Sequence, residues 1–174
     1  MKTRHPLILT ARLKDEDLEP FDRLRRAHFP PDRNFLRAHL TMFHRLPGEY
    51  EAQIVDRLNR VIEAAQPVIA EVGGVRHLGA GVAFAIESPE LESVRARLKS
   101  QFLSWLGPQY MQPWRPHITI QNKVERPKAD ALHRDLSTSF KPWHIEIVRL
   151  DLWAYLGGPW EHKALVPCVP KAEL

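Results

Sequence analysis

A chain of 174 residues with 44% apolar and 26% charged residues has an ordinary globular composition, long enough for one well-buried domain and too short for two large independent ones. Its single cysteine, Cys168, excludes an internal disulfide and offers no zinc-ligand spacing, and no apolar run approaches the length of a membrane span, so a protein of the reducing cytoplasm is expected. The net charge of +4 favours an anionic partner.

Leu7 to Leu13 reads as a strand. A helix from about Glu19 to His28 follows, with Pro20 near its first turn and Phe21, Leu24 and Ala27 on one face; Arg23, Arg25 and Arg26 read as a solvated face. Next comes a strand-like segment, Arg37-Ala38-His39-Leu40-Thr41-Met42-Phe43-His44-Arg45-Leu46. Ile54, Leu58, Val61, Ile62 and Ala65 then recur at helical spacing to a stop at Pro67, and Val68 to Val75 runs extended, with Gly73-Gly74 as a bulge or bend.

The turn Leu78-Gly79 returns the chain along Gly81 to Ile86. Ser88-Pro89 caps a helix that carries Leu91, Val94, Leu98, Phe102 and Trp105 to a stop at Gly107. A second strand-like segment is Arg115-Pro116-His117-Ile118-Thr119-Ile120-Gln121-Asn122-Lys123-Val124, followed by a helix around Pro127 to Phe140, a strand from about His144 to Tyr155, a turn at Leu156-Gly157 and a return strand from Trp160 to Val166.

The histidines of the two segments stand 78 positions apart (39 to 117), and the same shift carries helix onto helix, strand onto strand and Leu78-Gly79 onto Leu156-Gly157. The expected architecture is therefore α+β: one domain over 1–174, made of two similar lobes at about 1–78 and 79–174, each a small sheet backed by helices. An approximate two-fold axis should pass between the His strands and leave a central cleft. No glycine-rich phosphate loop follows any strand, which argues against a doubly wound nucleotide fold.

Alternate residues of a strand share a face, which puts Arg37, His39, Thr41, Phe43 and Arg45 together, with Leu40, Met42 and Leu46 towards the core. The second segment divides likewise into Arg115, His117, Thr119, Gln121 and Lys123 against Ile118, Ile120 and Val124. Two imidazoles, two hydroxyls and several cations in one cleft suit phosphodiester cleavage. One proton must leave the attacking oxygen and another must arrive on the departing one, and imidazole titrates near neutral pH. Thr41 and Thr119 would donate to the non-bridging oxygens, while Arg37, Arg45, Arg115 and Lys123 could supply charge without a metal. Phe43, Tyr50, Trp114 and Trp153 are candidates for stacking on a base. His44 falls on the wrong alternation phase unless a bulge turns it towards the site.

The tandem His-apolar-Thr-apolar motifs in a duplicated chain of this size, with Pro116 before the second His, resemble the 2H phosphoesterase superfamily, in its 2'-5' RNA ligase and cyclic phosphodiesterase branch. The resemblance implies a metal-independent enzyme without cofactor, acting on 2',3'-cyclic phosphate or 2'-5' linkages of RNA or of small cyclic nucleotides such as ADP-ribose 1'',2''-cyclic phosphate. It places His39, Thr41, His117 and Thr119 at catalytic positions, leaving Arg37, Phe43, Arg45, Arg115 and Lys123 for the substrate. The assignment leans towards His117 as base and His39 as acid. A monomer with no membrane partner is expected. The sequence departs from the commoner family pattern at Asn122, where many relatives carry Arg, and at His44-Arg45-Leu46, where they carry Phe-Leu-Gly. The competing readings are a noncatalytic RNA-binding module and a metal-dependent hydrolase using His39, His44 and His117, the latter lacking in-phase carboxylates.

Overall fold

Local pattern accounts for most of the elements in the computed structural model, which describes residues 4–174. The strand β1 (Leu7–Leu13) is buried along most of its length and leads into the helix α1 (Asp15–His28). Acidic residues fill the first turn of α1 and basic ones its last, the order that a helix dipole favours. That acidic start extends α1 four positions ahead of Glu19 and leaves Pro20 inside the helix. Then come β2 (Leu40–Leu46), α2 (Glu51–Val61) and β3 (Val68–His77), which complete the first half. The second half holds β4 (Val82–Glu87), α3 (Pro89–Phe102), β5 (His117–Gln121), α4 (Arg126–Ser139), β6 (Trp143–Tyr155) and β7 (Trp160–Pro167). Ser88 caps α3 by accepting the Leu91 N–H at 3.1 Å, with Pro89 at the first helical position. The helix α2 stops at Val61, where Ile62 turns extended, well short of Pro67.

The strands of the two lobes join one continuous sheet instead of forming two small ones. Its order is β1-β2-β5-β4-β3-β6-β7, and β6 also pairs with β1, so six strands close into a barrel-like ring with β7 outside it. Exchanging β1 with β4, β2 with β5 and β3 with β6 maps this ring onto itself. The two-fold axis of the duplication therefore runs through the β2–β5 and β3–β6 contacts. The turns obey the same relation. Leu78 N–H donates to Gly81 O at 2.9 Å and Leu156 N–H to Pro159 O at 3.0 Å, while Gly79 and Gly157 adopt φ of 85° and 93°, backbone that side-chain-bearing residues rarely take. This is the duplicated α+β arrangement expected from the 78-residue shift.

A pair of bulges decides what faces the cleft. Along β1, Leu9 and Thr10 sit opposite Phe43 and Thr41, so β2 carries an extra residue there. Along β4, Val82 and Ala83 sit opposite Gln121 and Thr119, and β5 carries the matching extra residue. Each bulge inverts the side-chain alternation beyond it. Met42 and Phe43 are consequently both buried, as are Ile120 and Gln121, and His44 swings to the cleft side. The expected placement of Phe43 and Gln121 on the open face is thus overturned by the residue inserted just before each of them, and β2 carries a second extra residue between Phe43 and Leu46. Gly81 fits against the second bulge, where a Cβ would collide with the Gln121 carbonyl.

Beneath the cleft, Leu40, Ile118 and Ile120 are fully buried with Phe21, Phe43 and Phe102, each such side chain contributing about 1.5–3 kcal/mol. Phe43 packs edge-on against Phe102 at 5.4 Å between ring centroids. The arginine cluster of α1 is split. Arg23 and Arg26 lie exposed beside Glu19, whereas Arg25 turns inward and donates to the Thr119 carbonyl at 2.9 Å, contrary to the solvated face expected of all three.

Candidate active site

Across the two-fold axis Leu40 pairs with Ile118. Antiparallel register then sets His39 beside Thr119 and Thr41 beside His117. All four side chains line one cleft of about 440 Å³. Both threonines are half-buried, and among the described residues neither hydroxyl has a hydrogen-bond partner, so both are free to donate to a ligand.

The two imidazoles are held in the same way. His39 Nδ1 lies 2.9 Å from the Arg37 carbonyl oxygen and His117 Nδ1 lies 2.8 Å from that of Arg115. A carbonyl accepts only, so each Nδ1 carries the proton, at His117 because the 2.8 Å carbonyl contact is shorter than the 3.2 Å approach of the Arg76 Nη1 donor, and each Nε2 keeps its lone pair available for chemistry. His39 retains some exposure to the cleft, yet the packed walls around it remove enough solvent to push its imidazolium down to about 4, with the Arg25 charge acting in the same direction. His117 is also lowered, first by burial and then by the charges of Arg76 and Arg115. Both rings are therefore neutral in the free protein at pH 7.

The expected substrate contacts separate. Arg115 lines the cleft. Arg37 does not: its Nε donates to Asp22 Oδ2 at 2.7 Å, and Asp22 also accepts the Ala38 N–H at 2.6 Å, so the pair braces the segment entering His39. Arg45 faces a neighbouring hollow with Pro47 and Trp105. Lys123 is exposed in the turn after β5, with φ of 59°, and lies off the cleft. Phe43 is fully buried. Of the other stacking candidates, Trp114 lines the cleft, Tyr50 stacks on Trp105 at 5.2 Å, and Trp153 donates through Nε1 to Thr10 Oγ1 at 3.0 Å.

Among the residues in or near the cleft that lie outside both motifs, Arg76, Arg95, Tyr110 and Trp160 bear on its chemistry. Arg76 reaches from β3, its Nη1 3.4 Å from the Arg115 carbonyl and 3.2 Å from His117 Nδ1. Arg95 projects from α3 and Tyr110 from the 3-10 turn Pro108–Met111. Trp160, on β7, lies with its ring centroid 4.8 Å from that of His39. Only Arg95 announces itself in the sequence, since it occupies the helical stripe of Leu91, Val94, Leu98 and Phe102, where a cation needs a reason. Among the described residues no group of three or more His, Cys, Asp or Glu side chains is arranged to hold a metal ion.

With this geometry in view, relationships to known proteins are informative. The solved structure of E. coli LigT complexed with 3'-AMP superposes with a TM-score of 0.65 at 18% identity, covering 96% of this chain and 99% of that one. E. coli LigT complexed with NADP+ gives 0.62 at 18% identity, covering 97% and 100%. TT0787 of Thermus thermophilus gives 0.67 at 14% identity, covering 95% and 99%. At these identities the likeness is one of fold. No curated protein sequence matches the chain. The sequence model of the 2'-5' RNA ligase superfamily matches residues 13–159, which take in both His-Thr segments and most of the barrel-like sheet. The chain belongs to the 2'-5' RNA ligase superfamily, within the 2H phosphoesterases.

Proposed function

We propose that the chain is a metal-independent phosphoesterase acting on 2',3'-cyclic phosphate or 2'-5' phosphodiester bonds of RNA or small nucleotides, with His39, Thr41, His117 and Thr119 as its catalytic groups. The observation that carries this reading is the matched pair of imidazoles in one cleft, each fixed through Nδ1 by a backbone carbonyl, with a free threonine hydroxyl beside it. The E. coli LigT structures with 3'-AMP, NADP+ and ATP support a nucleotide-shaped ligand.

Burial lowers both imidazoles and brings His39 to about 4, which suits His39 to the neutral, proton-accepting role, the reverse of the sequence-based leaning. His39 Nε2 accepts a proton from water as the water oxygen bonds to phosphorus. The P–O3' bond breaks, and His117 Nε2–H delivers its proton to O3', leaving a 2'-phosphate. An alcohol in place of water would give ligation through the same steps. Thr41 and Thr119 donate to the non-bridging oxygens, and Arg76 and Arg115 offset the charge gathering there, which is the contribution that a metal would otherwise make. Binding the anionic phosphate raises both imidazole pKa values and so loads His117 with its proton.

The test is hydrolysis of a panel of nucleoside 2',3'-cyclic phosphates, with the position of the product phosphate determined. Turnover that survives EDTA and falls about 10²- to 10⁴-fold in both His39→Ala and His117→Ala is expected. RNA binding without turnover, indifferent to both substitutions, would instead identify a binding module.

A further inference from the structure

Two arginines leave helices to enter the protein interior, and they end differently. Arg25, 4% exposed, donates from Nε to Asn34 Oδ1 at 3.2 Å and from Nη1 to Thr119 O at 2.9 Å, and it does not line the cleft. Arg95, 9% exposed, donates from Nε to Met42 O at 3.1 Å, and there its protein partners end. Among the described residues no carboxylate reaches it, and its two Nη groups have no acceptor, although the side chain lines the cleft. Ring faces surround the guanidinium instead, with Phe43 at 4.9 Å, Trp114 at 4.8 Å and Tyr110 at 5.9 Å from its carbon. Cation–π contact offsets only part of the cost of taking the charge out of water, and it satisfies no N–H. The fork is built and left open on the cleft side, where its Nη groups reach solvent.

His44 completes the same corner. The bulge of β2 brings it to the cleft, where its ring stacks on Tyr110 at 5.2 Å and its Nδ1 lies 3.3 Å from Tyr110 Oη. Its Nε2 has no protein partner among the described residues. Met42, the anchor of Arg95, directly follows Thr41, and the Arg95 and His44 side chains line the same cleft as the two His-Thr pairs.

We propose that Arg95 and His44 form a second anion station in the cleft, which takes a further phosphate of the same substrate. It follows that the preferred substrate carries at least two phosphates: a cyclic-phosphate-ended oligonucleotide, or a small nucleotide with an additional phosphoryl group. A phosphate suits the station because a guanidinium fork binds it through two parallel N–H···O bonds. The proposal rests on the phosphoesterase reading of the His and Thr pairs.

The experiment compares kcat/KM for adenosine 2',3'-cyclic phosphate, its 5'-phosphorylated form and the dinucleotide ending in the same cyclic phosphate, in wild type, Arg95→Met, Arg95→Lys and His44→Gln. The wild type should favour both two-phosphate substrates by tenfold or more, and the ratio should collapse towards one in Arg95→Met, with Arg95→Lys and His44→Gln between. A ratio is insensitive to how much of a variant folds. Equal kcat/KM for all three substrates in wild type, or an unchanged ratio in Arg95→Met, would overturn the station. An advantage confined to the dinucleotide and kept by Arg95→Met would assign the contact to the neighbouring base and overturn it too. No turnover of any substrate would remove the phosphoesterase reading itself, a result distinct from turnover without selectivity.

Discussion

Trp160 lies against His39, their ring centroids 4.8 Å apart and their planes tilted by 57°. The contact brings β7, the strand outside the closed ring, onto one of the two imidazoles. Removing the indole should readmit solvent and raise the His39 pKa from about 4 towards the ordinary histidine value. Titrating the His39 ring by NMR in Trp160→Ala checks this, with His117 as the internal control. A His39 midpoint unmoved by the substitution would place the desolvation elsewhere.

Stability should depend on pH through the same residue. The folded pKa of about 4 lies below the ordinary 6.5, so between these values the unfolded chain takes up a proton that the folded chain refuses. The contribution of neutral His39 is thus full above about pH 6.5 and declines as pH falls to about 4. Denaturant titrations over this window should show a shallower decline in His39→Gln than in wild type.

The rate should follow pH in a related way. In the proposed mechanism productive free enzyme needs one neutral and one protonated imidazole, and burial lowers both. The bell of kcat/KM against pH is therefore expected to peak on the acid side of neutrality. The bell of kcat should lie higher, because a bound phosphate stabilises the imidazolium forms. Coincident bells would deny that the anion and the two rings interact.

Thr41→Val and Thr119→Val remove a hydroxyl while nearly preserving shape. A hydrogen bond to a charged group contributes about 1.5–3 kcal/mol, so each substitution should lower kcat/KM about 10- to 10²-fold. Because neither hydroxyl bonds the protein among the described residues, thermal denaturation should move little. A large stability loss with activity intact would make these threonines structural.

Gly81→Ala tests the second bulge. The added methyl would meet the Gln121 carbonyl, and overpacking of this kind costs about 1–3 kcal/mol. Stability measured by chemical denaturation should fall by that amount, whereas Gly74→Ala, which meets nothing within 4 Å, should stay close to wild type.

Much of this was legible from residue order because it is periodic. Ser88-Pro89 starts α3, and Gly79 and Gly157 turn two equivalent hairpins. The placement of His39, Thr41, His117 and Thr119 in one cleft follows from alternation and the 78-residue shift. Alternation fails at Phe43 and His44, since an extra residue in one strand is defined only by the partner strand opposite. Arg37 illustrates a different limit: its phase is right, but Asp22, fifteen positions earlier, claims it. Trp160 was hidden for a third reason, because β7 meets the site only through its pairing with β6. Arg95 was legible in principle, as a cation inside an apolar stripe.

The closure of the ring has a bearing on how the protein is made. One edge of β1 finds β2 within a few dozen residues, but the other pairs with Ile147 to Ala154, near the far end of the chain. On a ribosome adding roughly 5–20 residues per second, that apolar edge waits on the order of ten seconds for its partner. During the wait, the nascent chain holds His39 without Trp160 over it and without a finished barrel beneath it. A protein cut short before β6 would thus be left with an unpaired apolar strand edge, a surface that chaperones recognise.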